Sequence, residues 1–323
     1  MTNPLLEIRS LHQQFETFKG LSRVLNGVNF VVQKGEEVGL IGEAGCGKTT
    51  TMKCTMRILP MPPGKISQGE ILLNGKDLLK VNLKKVHGVR GISMIFQDPT
   101  AALNPVFPIG QQLTDVAKYS LALGKHRSNK KIQEGVIKVL QDVSMPDPAR
   151  IMKNYPFQLS GGMRQRICIA KALIGVRDLL VADEPGTNLD VTIRDQILRL
   201  LHALVEDRAI SVILISHAIG AVRNLANRVY VMYAGSMVEV AETKELFTNP
   251  KHPYTQLLLA AVPRLTGGGI AKGITGRPPD YLKPPSGCRF HPRCPHAMQV
   301  CQEEAPGFFG TEDTHKVACY LYR

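Results

Sequence analysis

Nowhere in the 323 residues does an apolar run approach the roughly 18 residues a membrane-crossing helix needs. Stretches such as Val212 to Ile215 and Leu257 to Val262 are far shorter, so the chain is not expected to cross a bilayer by itself. Met1 to Ser10 lacks a basic segment followed by an apolar core of about 7 to 15 residues. No secretory leader is therefore read, and the cytosol is the expected compartment. Acidic residues are the scarcer charge: 27 Asp and Glu stand against 40 Lys and Arg, a net +13. That excess suits phosphate-rich ligands, nucleic acid or an anionic membrane face, and equally a solvated basic surface. Low-complexity bias, internal repeats and long heptad stretches are all missing, which argues against wholesale disorder, solenoids and coiled coils. Seven cysteines in a cytosolic chain speak against a disulfide framework and for metal, redox chemistry or plain burial.

What is present has the length of roughly two domains, each able to bury a core. Glu36 to Ile41 reads as a strand running into a glycine-rich turn, and Thr49 to Leu59 has helix-forming composition. Ile132, Val136, Val139, Leu140 and Val143 share one helical face, as do Ile193, Ile197, Leu200, Leu201 and Leu204. Leu179 to Ala182 and Val212 to Ile215 are apolar without alternation, the pattern of strands buried on both faces of a parallel sheet. Strands alternating with helices imply a doubly wound α/β core. A helix-rich stretch between two strand groups predicts an inserted helical subdomain over 100–165, within a core of 1–99 and 166–262. After Ala234-Gly235 the pattern loosens, and Gly267 to Gly276 followed by two Pro-Pro pairs reads as a linker, so 263–323 is expected to be linker plus a separate tail.

Gly42-Glu43-Ala44-Gly45-Cys46-Gly47-Lys48-Thr49 fits the phosphate-loop pattern G-x-x-x-x-G-K-[ST] in full and lies between the predicted strand and helix. Its glycines would let backbone N–H groups turn inward around the phosphates of ATP at a helix N-terminus. Lys48 would reach the β- and γ-phosphates and Thr49 would offer a hydroxyl to Mg²⁺. Leu179-Leu180-Val181-Ala182-Asp183-Glu184 is the matching second half, a buried strand ending in carboxylates. Asp183 would hold Mg²⁺ through its water shell, and Glu184 is placed to take a proton from an attacking water. Alone, such a pair is more often a helix cap. Cys46, near Lys48 and a helix start, either has a lowered thiol pKa and reacts, or only offers its backbone N–H.

Leu159-Ser160-Gly161-Gly162-Met163-Arg164-Gln165-Arg166 precedes the acidic strand by one helix length. With it the chain resembles the ATP-binding cassette (ABC) ATPases, whose fold is a phosphate-loop NTPase core carrying a helical insertion. The resemblance implies that Gln97, in Phe96-Gln97-Asp98-Pro99, couples the γ-phosphate and Mg²⁺ to the helical subdomain, sharing the metal with Thr49 and Asp183. It likewise implies that His217 contacts the γ-phosphate, that Asp190 forms the D-loop, that Phe15 stacks on adenine, and that Thr50 and Gln165 join the nucleotide contacts. Ser160-Gly161-Gly162 is then expected to close over ATP held by a partner's phosphate loop, so that ATP joins two ATPases and hydrolysis releases them.

Met232-Tyr233-Ala234-Gly235, His252-Pro253-Tyr254-Thr255 and Gly287-Cys288-Arg289-Phe290-His291-Pro292-Arg293-Cys294-Pro295 are similar to segments of the ATPase subunits of dipeptide and oligopeptide importers. That likeness implies a second, homologous ATPase as heterodimer partner, two transmembrane permease subunits, an extracytoplasmic substrate-binding protein, no nucleic acid, and a peripheral place on the cytoplasmic face of the inner membrane. Nickel or sugar cargo is an alternative. A soluble cassette ATPase acting on ribosomes or nucleic acid is another, which +13 would suit but a single phosphate loop and no coiled coil disfavour. The chain departs from the family pattern at Gly186 and Asn188 around the D-loop, at Ala218 after the histidine, and at Phe157-Gln158 before the signature.

Cys288, Cys294, Cys301 and Cys319 crowd the last 36 residues, whereas Cys46, Cys54 and Cys168 are scattered. Four thiols in a proline-rich tail suggest a metal staple in place of a core. The spacing C-x5-C-x6-C-x17-C matches neither a common zinc ribbon nor the short ferredoxin run, and does not choose the metal. The importer resemblance implies a 4Fe-4S cluster on these four cysteines, with zinc or merely reduced thiols as the alternatives; His291 and His296 are either substitute ligands or solvated loop histidines.

Overall fold

The computed structural model describes residues 3–81, 91–120, 128–187, 189–262, 273–310 and 314–323. Asn188 and most of the glycine-rich linker, 263–272, lie outside the described residues. The strands are β1 (Leu6–Thr17), β2 (Gly20–Val32), β3 (Glu37–Ile41), β4 (Gly64–Leu73), β5 (Lys76–Asp77), β6 (Ile92–Ile95), β7 (Leu179–Asp183), β8 (Ser211–Ile215), β9 (Arg228–Tyr233), β10 (Ser236–Glu242), β11 (Phe309–Gly310) and β12 (Lys316–Val317). The chain divides into two compact units, one of 1–33, 37–82 and 215–323 and one of 34–36 and 83–214.

In the first unit β1 lies between β2 and β4, antiparallel to both, with β5 at the edge. Leu6 and Ile8 of β1 face Val32 and Phe30 of β2, and all four side chains are sealed from water. One face is thus apolar while Arg9, Glu16 and Phe18 stay exposed, the half-buried alternation of an antiparallel sheet. The same unit carries the order β11-β12-β10-β9-β3, in which β3 runs parallel to β9 and the other pairs are antiparallel. Val38, Leu40 and Ile41 are fully buried, so β3 delivers its C-terminal end from a fixed register. The helix after it spans Lys48–Thr55. It stops short of the predicted Leu59 because Arg57 turns left-handed and prolines at 60, 62 and 63 cannot extend a helix.

The expected loosening after Ala234-Gly235 does not occur. Both residues have positive φ, which makes a tight turn between β9 and β10, and β10 continues with five buried residues in succession. Gly235 gives half of a turn signal, but Ala234 stands at a left-handed position where Asn, Asp or Gly is usual, so the hairpin is only weakly marked in the sequence. β12 then pairs with β10, bringing Glu239 opposite Val317. Glu239 is completely buried. Its carboxylate accepts from the Lys251 and His252 backbone N–H groups at 2.7 and 3.0 Å and lies 2.7 Å from His315 Nε2.

The second unit has the order β8-β7-β6, with β6 and β7 parallel and every residue of β7 and β8 buried, as the non-alternating runs predict. The helix Asn129–Asp142 starts at a Ser128 cap and buries Ile132, Val136 and Leu140; the helix Val191–Arg208 starts at an Asp190 cap and buries Ile197, Leu201 and Val205. Arg208 and Asp142 join the ends of these two helices at 2.7 Å.

His315 is the C-terminal segment's tie to β10. Replacing it by alanine removes a donor from a carboxylate that water cannot reach, a loss of about 3 kcal/mol of stability. Urea denaturation of His315→Ala is expected to show a clearly lowered midpoint; an unchanged midpoint would show that the contact does not hold the segment.

Candidate functional site

The phosphate loop joins β3 to the helix Lys48–Thr55 in the first unit. Gly42 has φ +152°, and a Cβ there would lie 2.1 Å from the Met232 carbonyl oxygen, so only glycine lets the loop leave β3 against β9. Lys48 is buried, and its ammonium donates to the carbonyls of Gly42 and Glu43 at 2.8 and 3.0 Å. Ala44 and Gly45 are exposed, whereas Thr49 and Thr50 are half-buried. Phe15, at the far end of β1, is half-buried, and His217, two residues beyond β8, is exposed.

The second unit holds the other predicted residues. Asp183 is buried at the C-terminal end of β7, and Glu184 follows in the left-handed region at φ 50°. The Glu184 carboxylate accepts from Gln97 Nε2 at 2.9 Å and from the Thr187 hydroxyl at 3.0 Å. A non-glycine residue at positive φ is a position of the kind that clusters at functional sites. Ser160 caps the helix Gly161–Gly175, its hydroxyl accepting from Met163 N–H at 3.3 Å, and Asp190 caps the next helix through Ile193 N–H at 2.9 Å. Both therefore have a helix-capping role in the chain as it stands. Gln165 is buried, with a side-chain nitrogen that has no hydrogen-bond partner among the described residues. Gly186, one of the departures from the family pattern, leaves space that the Arg194 side chain fills, since a Cβ there would be 2.3 Å from Arg194 Cγ.

Two residues near these motifs escaped the sequence reading. Thr187 carries no motif signal of its own, and Arg293 was visible only as one letter of a cysteine-flanked string. Its side chain forms a two-pronged ion pair with Glu43 of the phosphate loop.

Cys288, Cys294, Cys301 and Cys319 line one small cavity of about 20 Å³, together with His291 and His296. Burial pushes the Cys288 thiol up to about 11, with the other three thiols acting in the same direction, and burial also raises Cys294 and Cys319. Among the described residues no group of three or more His, Cys, Asp or Glu side chains is placed to hold a metal ion. Cys54 and Cys168 are buried core thiols raised to about 12.

Phosphate loop, acidic strand end and capped signature helix on an α/β scaffold are the parts of a nucleotide-binding cassette, and solved structures share the fold. A dimeric bacterial ABC transporter cassette matches at TM-score 0.64 and 22% identity, covering 74% of this chain and 98% of that one. The cbiO1 protein of Clostridium perfringens, part of an ABC transporter complex, matches at TM-score 0.63 and 24% identity, covering 77% and 92%. Residues 25–187 match the ABC transporter family and 238–301 match the oligopeptide/dipeptide transporter C-terminal region.

The chain belongs to the ABC transporter family. It is 46% identical over 320 residues to the dipeptide transport ATP-binding protein DppD of Bacillus subtilis, covering 98% of this chain and 94% of that protein. It is 43% identical over 321 residues to the oligopeptide transport ATP-binding protein OppD of the same organism, covering 98% and 88%. The OppD of Salmonella typhimurium is 41% identical over 307 residues, covering 94% and 90%. Among the described residues no helix is long and apolar enough to cross a membrane.

Cys46 is 4% exposed, and burial raises its thiol pKa against the opposing pull of Lys48. Of the two readings of this residue, the unreactive one follows. Iodoacetamide at neutral pH is expected to leave Cys46 unmodified in the folded chain and to label it after denaturation, as read by peptide mass spectrometry; rapid native labelling would mean that the loop opens far enough to expose it.

Proposed function

We propose that this chain is the ATP-hydrolysing subunit that drives uptake of dipeptides or oligopeptides through an ABC importer. The observation that carries the reading is the likeness to peptide-transport ATP-binding proteins over 98% of the chain, C-terminal region included. The core is 1–99 and 166–262, the helical part with the signature is 100–165, and 263–323 is a linker with a cysteine-bearing domain.

In this reading ATP lies with its phosphates at the start of the helix Lys48–Thr55, where N–H groups and the helix dipole favour negative charge. Lys48 gives up its bonds to the Gly42 and Glu43 carbonyls and takes the β- and γ-phosphate oxygens. Thr49, Gln97 and Asp183 would hold Mg²⁺, which would lower the charge barrier to attack. Glu184, oriented by the Thr187 hydroxyl, accepts a proton from the water that attacks the γ-phosphorus. His217 contacts the transferring phosphoryl group, while Phe15 stacks on adenine and Thr50 and Gln165 complete the contacts. Ser160, Gly161, Gly162 and Asp190 serve the ATP of a homologous partner ATPase, beneath two permease subunits fed by an external binding protein. The chain then sits peripherally on the cytoplasmic face of the inner membrane.

The test uses Glu184→Gln in cells and in the purified complex. A general base contributes about 10² to 10⁴ in rate. The variant is expected to bind ATP normally, to lose hydrolysis by a factor in that range, and to abolish uptake of labelled peptide. Two multi-span proteins and a second cassette ATPase should co-purify. Recovery of ribosomes or nucleic acid in their place would overturn the transport reading, and undiminished turnover would move hydrolysis to the partner's site.

We further propose that Cys288, Cys294, Cys301 and Cys319 hold a 4Fe-4S cluster. Four sulfur donors lining one cavity support the reading, since a Cys₄ set serves both iron-sulfur clusters and zinc. Such a group would offset part of the charge of four thiolates and would supply a one-electron centre. Anaerobic purification is expected to yield four iron and four sulfide per chain by the definition of the cluster; stoichiometric zinc without sulfide would replace it with a structural zinc site.

A further inference from the structure

The C-terminal segment reaches back about 250 residues to the phosphate loop, as the separation of Arg293 from Glu43 states. The Arg293 side chain is 5% exposed and grips both carboxylate oxygens of Glu43, at 2.8 and 3.1 Å. The same guanidinium donates to the carbonyls of Thr275 and Ile274 and to the Tyr233 hydroxyl, at 2.9, 3.3 and 3.2 Å. Most ion pairs at a surface contribute little, but a buried fork with every donor occupied fixes geometry. Further contacts come from the same side of the chain. Tyr281 donates its hydroxyl to the Gly45 carbonyl at 2.8 Å, Tyr254 accepts from the Glu43 N–H at 2.8 Å, and Gly235 N–H donates to the Cys46 carbonyl at 2.8 Å.

These bonds take the loop's outward groups. In a trans peptide unit the carbonyl and the following N–H point in opposite directions. Anchoring the Gly45 and Cys46 carbonyls therefore turns the N–H groups of Cys46 and Gly47 to the other side, where the Cys46 N–H donates to the Glu43 carbonyl at 3.3 Å. Glu43 matters as well, because an unpaired carboxylate beside a triphosphate would oppose its binding, and Arg293 cancels that charge.

We infer that the cysteine-bearing C-terminal segment straps the phosphate loop, with Arg293 and Tyr281 as positioning residues for nucleotide binding, so that nucleotide binding and the order of this segment are coupled. The inference rests on the reading of the loop as an ATP site. Coupling of this kind is reciprocal: if the strap raises ATP affinity, ATP must tighten the strap by the same factor. Arg293 adjoins Cys294 in the chain, so whatever orders the cysteines orders the clamp as well.

The experiment uses the full-length chain, with Mg²⁺ and a fluorescent ATP analogue to read affinity and hydrogen exchange of residues 273–310 to read the strap. In the wild type, nucleotide is expected to slow exchange across that segment. Arg293→Ala should weaken binding about tenfold, a loss typical of a charge-assisted pair, and abolish the nucleotide-dependent protection. Adding Glu43→Gln to Arg293→Ala should restore part of the affinity by removing the exposed charge, which a general folding defect would not allow. Should Arg293→Ala fail to fold, Tyr281→Phe removes a single hydroxyl and should weaken binding several-fold with protection reduced. Wild-type affinity and protection in the folded variants would overturn the strap while leaving the ATP reading intact; a wild-type chain that binds no nucleotide would overturn the ATP reading itself.

Discussion

A phosphate loop works only if its backbone N–H groups are left free on one side while its carbonyls find partners on the other. Most of the first unit can be understood from that demand. β3 fixes where the loop begins, the helix Lys48–Thr55 fixes where it ends, and the turn at Ala234-Gly235 supplies a donor to the Cys46 carbonyl. The close approach of Met232 leaves no room for any side chain at Gly42. Even the helix Pro253–Ala260 contributes, since His252 caps it through the Tyr254 N–H and the Tyr254 hydroxyl then meets Glu43 N–H. Segments that looked like mere family markers in the sequence are backing for a loop that cannot hold its own shape.

Legibility in the sequence followed locality. The phosphate loop, β7, β8 and the two amphipathic helices were readable because their signals lie within one short window: a motif at fixed spacing, or a run with one period. The antiparallel β1, β2 and β4 were not read, although Leu6, Ile8, Val28 and Phe30 are buried, because bulges in the β1 register break the alternation. The hairpin at Ala234-Gly235 was missed for want of a polar turn residue. Arg293 and Glu43 stand 250 positions apart, and nothing in either neighbourhood announces the other. Glu184 is intermediate. Its carboxylate was found by motif, but its left-handed backbone and its bond to Thr187 belong to the folded chain alone.

The four C-terminal cysteines were legible as a group and illegible as a geometry. They come together because Cys288 N–H bonds to the Cys301 carbonyl, because short turns at His291 and Cys294 follow, and because β12 leads Cys319 in beside β10. That scaffold is made of backbone bonds and of the buried Glu239 and His315 pair. A binding group would find the thiols already close, at the cost of deprotonating them.

Lys48 and Glu184 are both engaged within the chain, the ammonium on two loop carbonyls and the carboxylate on Gln97 and Thr187. Nucleotide binding is then an exchange of partners rather than the capture of an open charge. The Gly42 and Glu43 carbonyls that lose Lys48 belong to a loop fixed from behind by Tyr281 and Arg293, so the exchange need not loosen the loop. The Glu184 carboxylate is held by Gln97 and by Thr187, one donor from just beyond β6 and one from the turn after β7, so its position is set within the second unit.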